Sequence, residues 1–379
     1  MRRFAIHGIV LLLLTTVVTG CWDMRNVRDM YYLSAIGIDW KDDKYYLYVQ
    51  LLDFTSISKN DGGLPAEPAQ TWVGVGSGIT LDQAVEDLYR ATEKRIFWGQ
   101  VSTIIYSQSM IDKGVEKSFD LLNRYQETRY YIWVYGTKEP IEDIFHVTPL
   151  FHTSPLDTAM YDPLTVFQQA SLVRPIVLQS LLRHYYDAGS SVVIPKLVIK
   201  TGNWRSIKEL KPVITMDGAY IINQAGIRKQ MSYEELLGIR WVEENYDRSN
   251  ILVKDNNKPV AHFNLYNSSV KIIPNDQLTA LSVTISLKGV LAEVIEEMTI
   301  PELEKLAEQQ IAEQVKMTYE IARKRGIDIY NLNHLFYRKY NKQWKAQQEA
   351  GSIELTKQLL DQVKVNVHIE NMGKYRVNK

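Results

Sequence analysis

Apolar and polar positions along the chain follow two rhythms. From Tyr31, the runs YYLSAIGIDW and YYLYVQLLDF flank the polar stretch Lys41-Asp42-Asp43-Lys44 and predict a β-hairpin. Pro and Gly mark Thr55–Gln70 as a surface loop, and Thr71–Val75 as a short strand beyond it. Thr80-Leu81-Asp82-Gln83 has capping-box spacing and opens a helix with Leu81, Ala84, Val85 and Leu88 on one face. A strand over Val101–Tyr106, a helix over Val115–Tyr125 and a strand over Tyr130–Tyr135 complete an alternation that points to an α/β unit with a mixed sheet. Five prolines make 140–175 irregular, with short helical pieces. A helix over Val177–Tyr186 follows, then a strand over Ser191–Ile199 whose Pro195 predicts an edge position.

The later pattern differs. A hairpin is expected over Val213–Ile222 and Ile227–Met231, and Ser232-Tyr233-Glu234-Glu235 caps a helix carrying Leu236, Leu237, Ile239 and Trp241. Ala261–Ile273 and Leu278–Val290 read as long alternating strands. A long helix over 300–325 carries the stripe Leu303, Leu306, Ala307, Ile311, Val315, Tyr319 and Ala322, with Pro301 harmless in its first turn. A second helix over Asn333–Glu349 and a period-2 strand over Val363–Ile369 close the pattern. The expected fold class is α+β, mixed α/β: two to three subdomains, each a mixed or antiparallel sheet with packed helices. The expected divisions are a leader over 1–20, an N-terminal α/β region over 21–205 that forms one or two subdomains, and a C-terminal α+β domain over 206–379.

The leader has Arg2 and Arg3, an apolar centre from Gly8 to Val18, and small residues at its end. Its apolar stretch is far short of the roughly 20 residues that span a bilayer. Val18-Thr19-Gly20-Cys21 resembles the bacterial lipobox, whose small side chains fit the signal peptidase and whose thiol accepts a diacylglyceryl group. Cys21 is the only cysteine, which fits an anchor and excludes internal disulfides and CxxC chemistry. The expectation is a membrane held through a diacylglyceryl or further acyl (palmitate) anchor on Cys21. Cleavage before Cys21 removes Arg2 and Arg3 and leaves two more acids than bases in the mature chain.

Charge narrows the function classes. The chain has 44 Lys+Arg and 44 Asp+Glu, so it has no general electrostatic basis for binding nucleic acid. Seven histidines show no ligand-like spacing; His146 and His152 read as loop residues rather than a metal pair. Gly74-Val75-Gly76-Ser77-Gly78 lacks the third glycine of a dinucleotide fingerprint and reads as a flexible lead into the capped helix. Neither a G-x-S-x-G elbow nor a Walker loop is present. The expectation is a protein without catalytic residues, cofactor or metal, although carboxylates paired across the fold would still permit a hydrolase.

Three blocks carry a resemblance. Cys21-Trp22-Asp23-Met24-Arg25-Asn26-Val27 precedes Ala35-Ile36-Gly37-Ile38-Asp39; Arg95-Ile96-Phe97-Trp98-Gly99-Gln100-Val101 precedes Arg124-Tyr125-Gln126-Glu127-Thr128-Arg129; and Arg325-Gly326-Ile327-Asp328-Ile329-Tyr330 precedes Tyr337-Arg338-Lys339-Tyr340 and Trp344. In this order they resemble the Ger(x)C family, the lipoprotein C subunits of spore germinant receptors. Gln100 stands for the family's His, Tyr125 for Asp, Tyr330-Asn331 for Phe-Gly and Asn341 for Pro. The resemblance implies a non-enzymatic subunit on the outer face of the spore inner membrane, beside membrane-spanning A and transporter-like B subunits. Two roles are open for Trp98, Arg124, Glu127 and Arg129: core packing with local ion pairs, or an interface with those subunits. A lipid-anchored solute-binding protein of a transporter is the alternative reading of length and tether.

Overall fold

The computed structural model describes residues 30–52, 70–124, 127–170, 172–207, 209–243, 248–275, 280–349 and 359–371. The expected leader, Cys21 and nearly all of the loop expected over Thr55–Gln70 lie outside them. Strands β1 (Met30–Lys41) and β2 (Lys44–Leu52) form the expected hairpin, with Asp42 and Asp43 both in the left-handed region that a tight hairpin turn requires. Strand β3 (Thr71–Gly78) adds antiparallel to β2. Helix α1 (Leu81–Arg90) returns across the sheet; the Thr80 hydroxyl accepts from the Gln83 N–H, and the Gln83 carboxamide accepts from Ile79.

The glycines after Val73 are strand residues of β3, not the flexible lead that the spacing predicts. A Cβ on Gly76 would fall 2.1 Å from the Ala84 carbonyl, so glycine is what lets α1 settle onto β3.

Strands β4 (Arg95–Phe97) and β5 (Thr103–Ser107) both pair parallel to β1. Helices α2 (Gln108–Lys113) and α3 (Glu116–Arg124) lead to β6 (Trp133–Thr137), parallel to β5. Helices α4 (Ile141–His146) and α5 (Pro163–Gln169) bracket two 3-10 turns in the irregular stretch. Then come β7 (Ile176–Val177), α6 (Leu178–Tyr186), β8 (Val192–Arg205), β9 (Leu210–Ile222) and β10 (Arg228–Met231). The ten-stranded sheet runs β10-β9-β8-β6-β5-β1-β2-β3, with β4 on β1 and β7 on β6.

Strand β8 is interior, not the edge that Pro195 predicts. Pairing with β6 begins only at Lys196, and the register against β9 slips between Pro195 and Leu197, so no ladder bond needs the missing N–H.

This sheet is covered on both faces. Residues of α1, α2, α3 and α6, including Val85, Met110, Phe119 and Leu181, form one core with Leu33, Ile36 and Ile104. Ile141, Ile144 and Phe145 of α4 and Met160 and Tyr161 beyond it form another with Ala35, Ile105 and Tyr135.

The segment capped by Ser232 and Glu235 is a 3-10 turn (Glu234–Leu236) followed by α7 (Ile239–Val242), rather than one helix. The break lies at Gly238, where a Cβ would sit 2.4 Å from the Gln314 carbonyl. Strands β11 (Ser249–Asp255), β12 (Lys258–Pro274) and β13 (Leu281–Val294) form an antiparallel meander. Helix α8 (Ile300–Lys324) carries the Thr299/Glu302 capping box. Then come α9 (Leu332–Lys339), α10 (Asn341–Glu349), separated at Tyr340 where one helix is expected, and β14 (Leu360–Asn371), parallel to β13. The second sheet, β11-β12-β13-β14, has its apolar face under Leu303, Ala307, Ile311 and Val315 of α8.

Strand β9 is the wall between the halves. Ala219 and Ile221 belong to the core around α8, while Tyr220 and Ile222 belong to the core of the large sheet. The junction expected after residue 205 falls in the β8–β9 hairpin, both arms of which lie in the large sheet.

Candidate functional site

The first motif surrounds the turn after β4. Trp98 is 4% exposed, and its indole N–H donates to the Tyr89 hydroxyl at 2.8 Å. Its backbone N–H donates to the Glu127 carboxylate at 3.3 Å, whose other oxygen accepts from Arg95 at 2.9 Å. The structure thus brings Trp98 and Glu127 together and adds Arg95. Arg124 stands apart: it pairs at 2.7 Å with Asp120 one turn earlier on its own helix, and both side chains are more than 70% exposed. Arg129 is exposed at the lead into β6. Trp98 and Glu127 therefore fix the start of the sheet, and Arg124 and Arg129 face solvent. His146 bonds the Glu142 carbonyl of its own helix.

The block from Arg325 to Trp344 builds the joint between the halves. Arg325 caps the C-terminus of α8 and grips the Glu235 carboxylate with both terminal guanidinium nitrogens, one of which also donates to the Gln230 carbonyl at 3.1 Å. This two-pronged contact holds Glu235 below the usual carboxylate range. Asp328 is buried; its oxygens accept the Leu332 and Asn333 N–H groups at 2.9 and 2.7 Å and so cap α9. Burial pushes its pKa up to about 6, against the lowering pull of those two bonds.

Asn331 has φ 52°, the left-handed conformation that Gly and Asn tolerate best. Its carboxamide pairs with the backbone of Ser191, accepting from the N–H at 2.7 Å and donating to the carbonyl at 3.1 Å. Asn333 accepts from the Trp344 indole at 2.7 Å, and His334 lies 3.5 Å from Asp187 and 3.2 Å from the Ala188 carbonyl. Asn341, where the family has Pro, opens α10, a first-turn position that suits proline.

Sequence reasoning singled out this block as a motif but missed its role, reading Glu235 only as a helix cap and Ser191 only as a strand start rather than as its partners. The available signal was Asn331 in a glycine position, since the two residues share tolerance of positive φ.

Beside the joint is a cleft of about 480 Å³ lined by Tyr131, Trp133, Arg174, His184, Glu243 and Asn331, among others. Arg174 and Glu243 pair across its rim at 2.5 Å. Burial, then Arg183 and His334, lower the His184 pKa, and the ring's hydrogen-bond partners are Arg183 and Ser190. Among the described residues, no group of three or more His, Cys, Asp or Glu could hold a metal ion, and no helix is long and apolar enough to cross a membrane.

The two unequal sheets, joined by the Arg325–Trp344 block, define a two-part α+β protein. A family model described as the spore germination protein N-terminal domain matches residues 23–199, and one described as spore germination B3/GerAC-like, C-terminal, matches 217–373. The chain belongs to this GerC family of germinant receptor subunits. It is 21% identical to spore germination protein KC of Bacillus subtilis (strain 168), over 98% of this chain and 97% of that protein. Spore germination protein A3 of the same organism is 24% identical over 195 residues, half of each chain. The crystal structure of the GerBC protein has the same fold, with a TM-score of 0.52 at 16% identity, over 89% of this chain and 97% of that one.

Proposed function

We propose that this chain is the lipid-anchored, non-catalytic subunit of a nutrient germinant receptor. A diacylglyceryl group on Cys21, with further acylation, holds it to the outer face of the spore inner membrane beside A-type and B-type membrane subunits. The observation that carries this reading is the family match over both halves of a chain whose sole cysteine ends a lipobox-like run. Several chains on one cysteine give a stable anchor where one alone is marginal. The two sheets differ in strand number, strand direction and helix placement, so they do not form the paired similar lobes that the solute-binding alternative calls for.

The test is a pull-down of the tagged chain from detergent-solubilised spore membranes, paired with intact-mass measurement. The expected result is acylated Cys21 and two co-purifying polytopic proteins, with Cys21→Ala released from the membrane fraction and germination impaired. Recovery of the chain alone with an unmodified thiol, and germination unchanged in the variant, would overturn the reading.

A further inference from the structure

Three parallel pairings of the large sheet put the starts of its strands at one end. β1 pairs with β4 from Met30↔Arg95 and with β5 from Ala35↔Thr103, and β5 pairs with β6 from Thr103↔Trp133. Backbone bonds just outside the ladders hold the same end together: Ser102 N–H to the Ser34 carbonyl and Trp133 N–H to the Ser102 carbonyl, both 2.9 Å. The start of β1 at Met30, the turn before β4 and the lead into β6 therefore lie side by side.

The side chains at this end share a chemistry. Tyr130 is 51% exposed and Tyr131 66%, and Tyr131 rests edge-on against Trp133. The Lys94 ammonium lies 5.6 Å from the centre of the Tyr31 ring. Arg129 is exposed. Lys94, Arg95 and Arg129 outnumber the acids of these segments, Glu93 and Glu127, and Glu127 is already held by Arg95. The opposite end has no such excess of base: Asp42 and Asp43 lie between Lys41 and Lys44 in the β1–β2 turn, Glu139, Glu142 and Asp143 follow β6 with Lys138, and Lys113 already stacks 3.9 Å over the Trp40 ring. Tyrosine and Trp with flanking Lys and Arg are the side chains that settle at headgroup level, with apolar bodies and polar tips.

Cys21 precedes Met30 by nine residues, a reach of at most about 30 Å for an extended chain. An anchor there attaches at the start of β1 and so holds this end, rather than the β1–β2 turn, next to the bilayer.

We infer that this end of the large sheet is the membrane-facing surface, with Tyr31, Lys94, Arg129, Tyr130 and Tyr131 resting on an anionic lipid surface. The inference builds on the lipid-anchor reading above. It fixes an orientation: the strands of the large sheet rise from the membrane, and the β1–β2 turn points away.

The test uses the full acylated chain in vesicles of phosphatidylglycerol and phosphatidylethanolamine carrying a lipid-borne nitroxide quencher. With the sulfur of Cys21 acylated, a single introduced thiol is the only labelling site, so Tyr130→Cys and Lys44→Cys report the two ends with one fluorophore. The expected result is quenching at 130 at least threefold stronger than at 44, and weaker at 130 in vesicles of phosphatidylcholine alone. Equal quenching at both positions, with acylation verified by intact mass, overturns the orientation and leaves the anchor standing. An unmodified Cys21 overturns both. Protection of position 130 only after the polytopic subunits are added also overturns the lipid contact and assigns the surface to a protein.

Discussion

The two sheets hide their apolar faces in different ways. The large sheet has helices on one side and α4 with the Met160–Tyr161 segment on the other, so β5 is buried at all five of its residues. The small sheet hides only the face under α8, and β14 alternates buried and exposed from Val363 to Glu370. A doubly covered sheet draws stability from both faces, while a singly covered one depends on one helix. The wall strand β9 then makes the two arrangements interdependent, because its successive residues serve both cores.

The largest test of that interdependence is Ile311→Ala at the centre of the buried stripe of α8. Removing three carbons there is expected to cost about 2–5 kcal/mol. Because β9 is shared, urea unfolding followed by Trp fluorescence and by far-UV CD should shift together to lower denaturant. Two separated transitions, with only the small sheet weakened, would show that the wall does not couple the halves.

Next in size is a pH effect at the joint. The folded Asp328 carboxyl titrates near 6 and the unfolded one near its ordinary value, so the native chain binds the extra proton between. Its contribution is present in full below about pH 4 and is lost as pH rises through 6, at most about 3 kcal/mol for a shift of roughly two units. The carboxylates of Asp87, Glu235, Glu302 and Glu370 are held low and slope the other way, so the measurement is a difference. Stability of the native chain minus that of Asp328→Asn should fall across this window. A flat difference would remove the buried charge from the account of the joint.

Legibility follows the same division. The one-sided sheet announces itself: Val363, Val365, Val367 and Ile369 alternate with polar residues, and the stripe of α8 repeats at three and four. Its first strand escapes because β11 is short, although Asn256 and Asn257, both at positive φ, are a recognisable hairpin turn before β12. In the large sheet the strands themselves are visible as apolar runs, but the neighbours are not. A run buried on both faces has no alternation to fix its register or place, which is why Pro195 suggested an edge. The joint is the least legible part. Asn331 meets Ser191 across 140 positions, and no local rhythm encodes a pair so distant. The motif was visible; its contact was not.

Arg325→Ala sharpens the comparison from the joint's other side. The loss leaves the Glu235 carboxylate half-buried without its two-pronged donor and the Gln230 carbonyl without a partner. A destabilisation of about 1–2 kcal/mol at neutral pH is expected, because both groups retain some access to water. Glu235 has a lowered folded pKa, so this contribution is present above its unfolded value and is lost as acid protonates it. Stability curves of the two chains should therefore converge toward low pH; a gap that persists there would make Arg325 a packing residue only.

The smallest expected effect on stability bears on the edges. The small sheet ends in β11 and β14, and α8 reaches both: Gln310 exchanges bonds with the Leu252 carbonyl and Lys254 N–H, while Glu308 and Glu304 accept the Val367 and Ile369 N–H groups at 2.9 and 2.8 Å. These side chains occupy backbone groups that would otherwise be open to another strand. Replacing both Glu304 and Glu308 by Ala should cost only about 1 kcal/mol, since water reaches the freed groups. The larger consequence is association: light scattering at high concentration should rise for the Ala pair and return to the native level for Glu304→Gln with Glu308→Gln, which keep an acceptor oxygen on each side chain. If the Ala pair scatters no more than the native chain, α8 covers one face of the small sheet and has no part in guarding its edge.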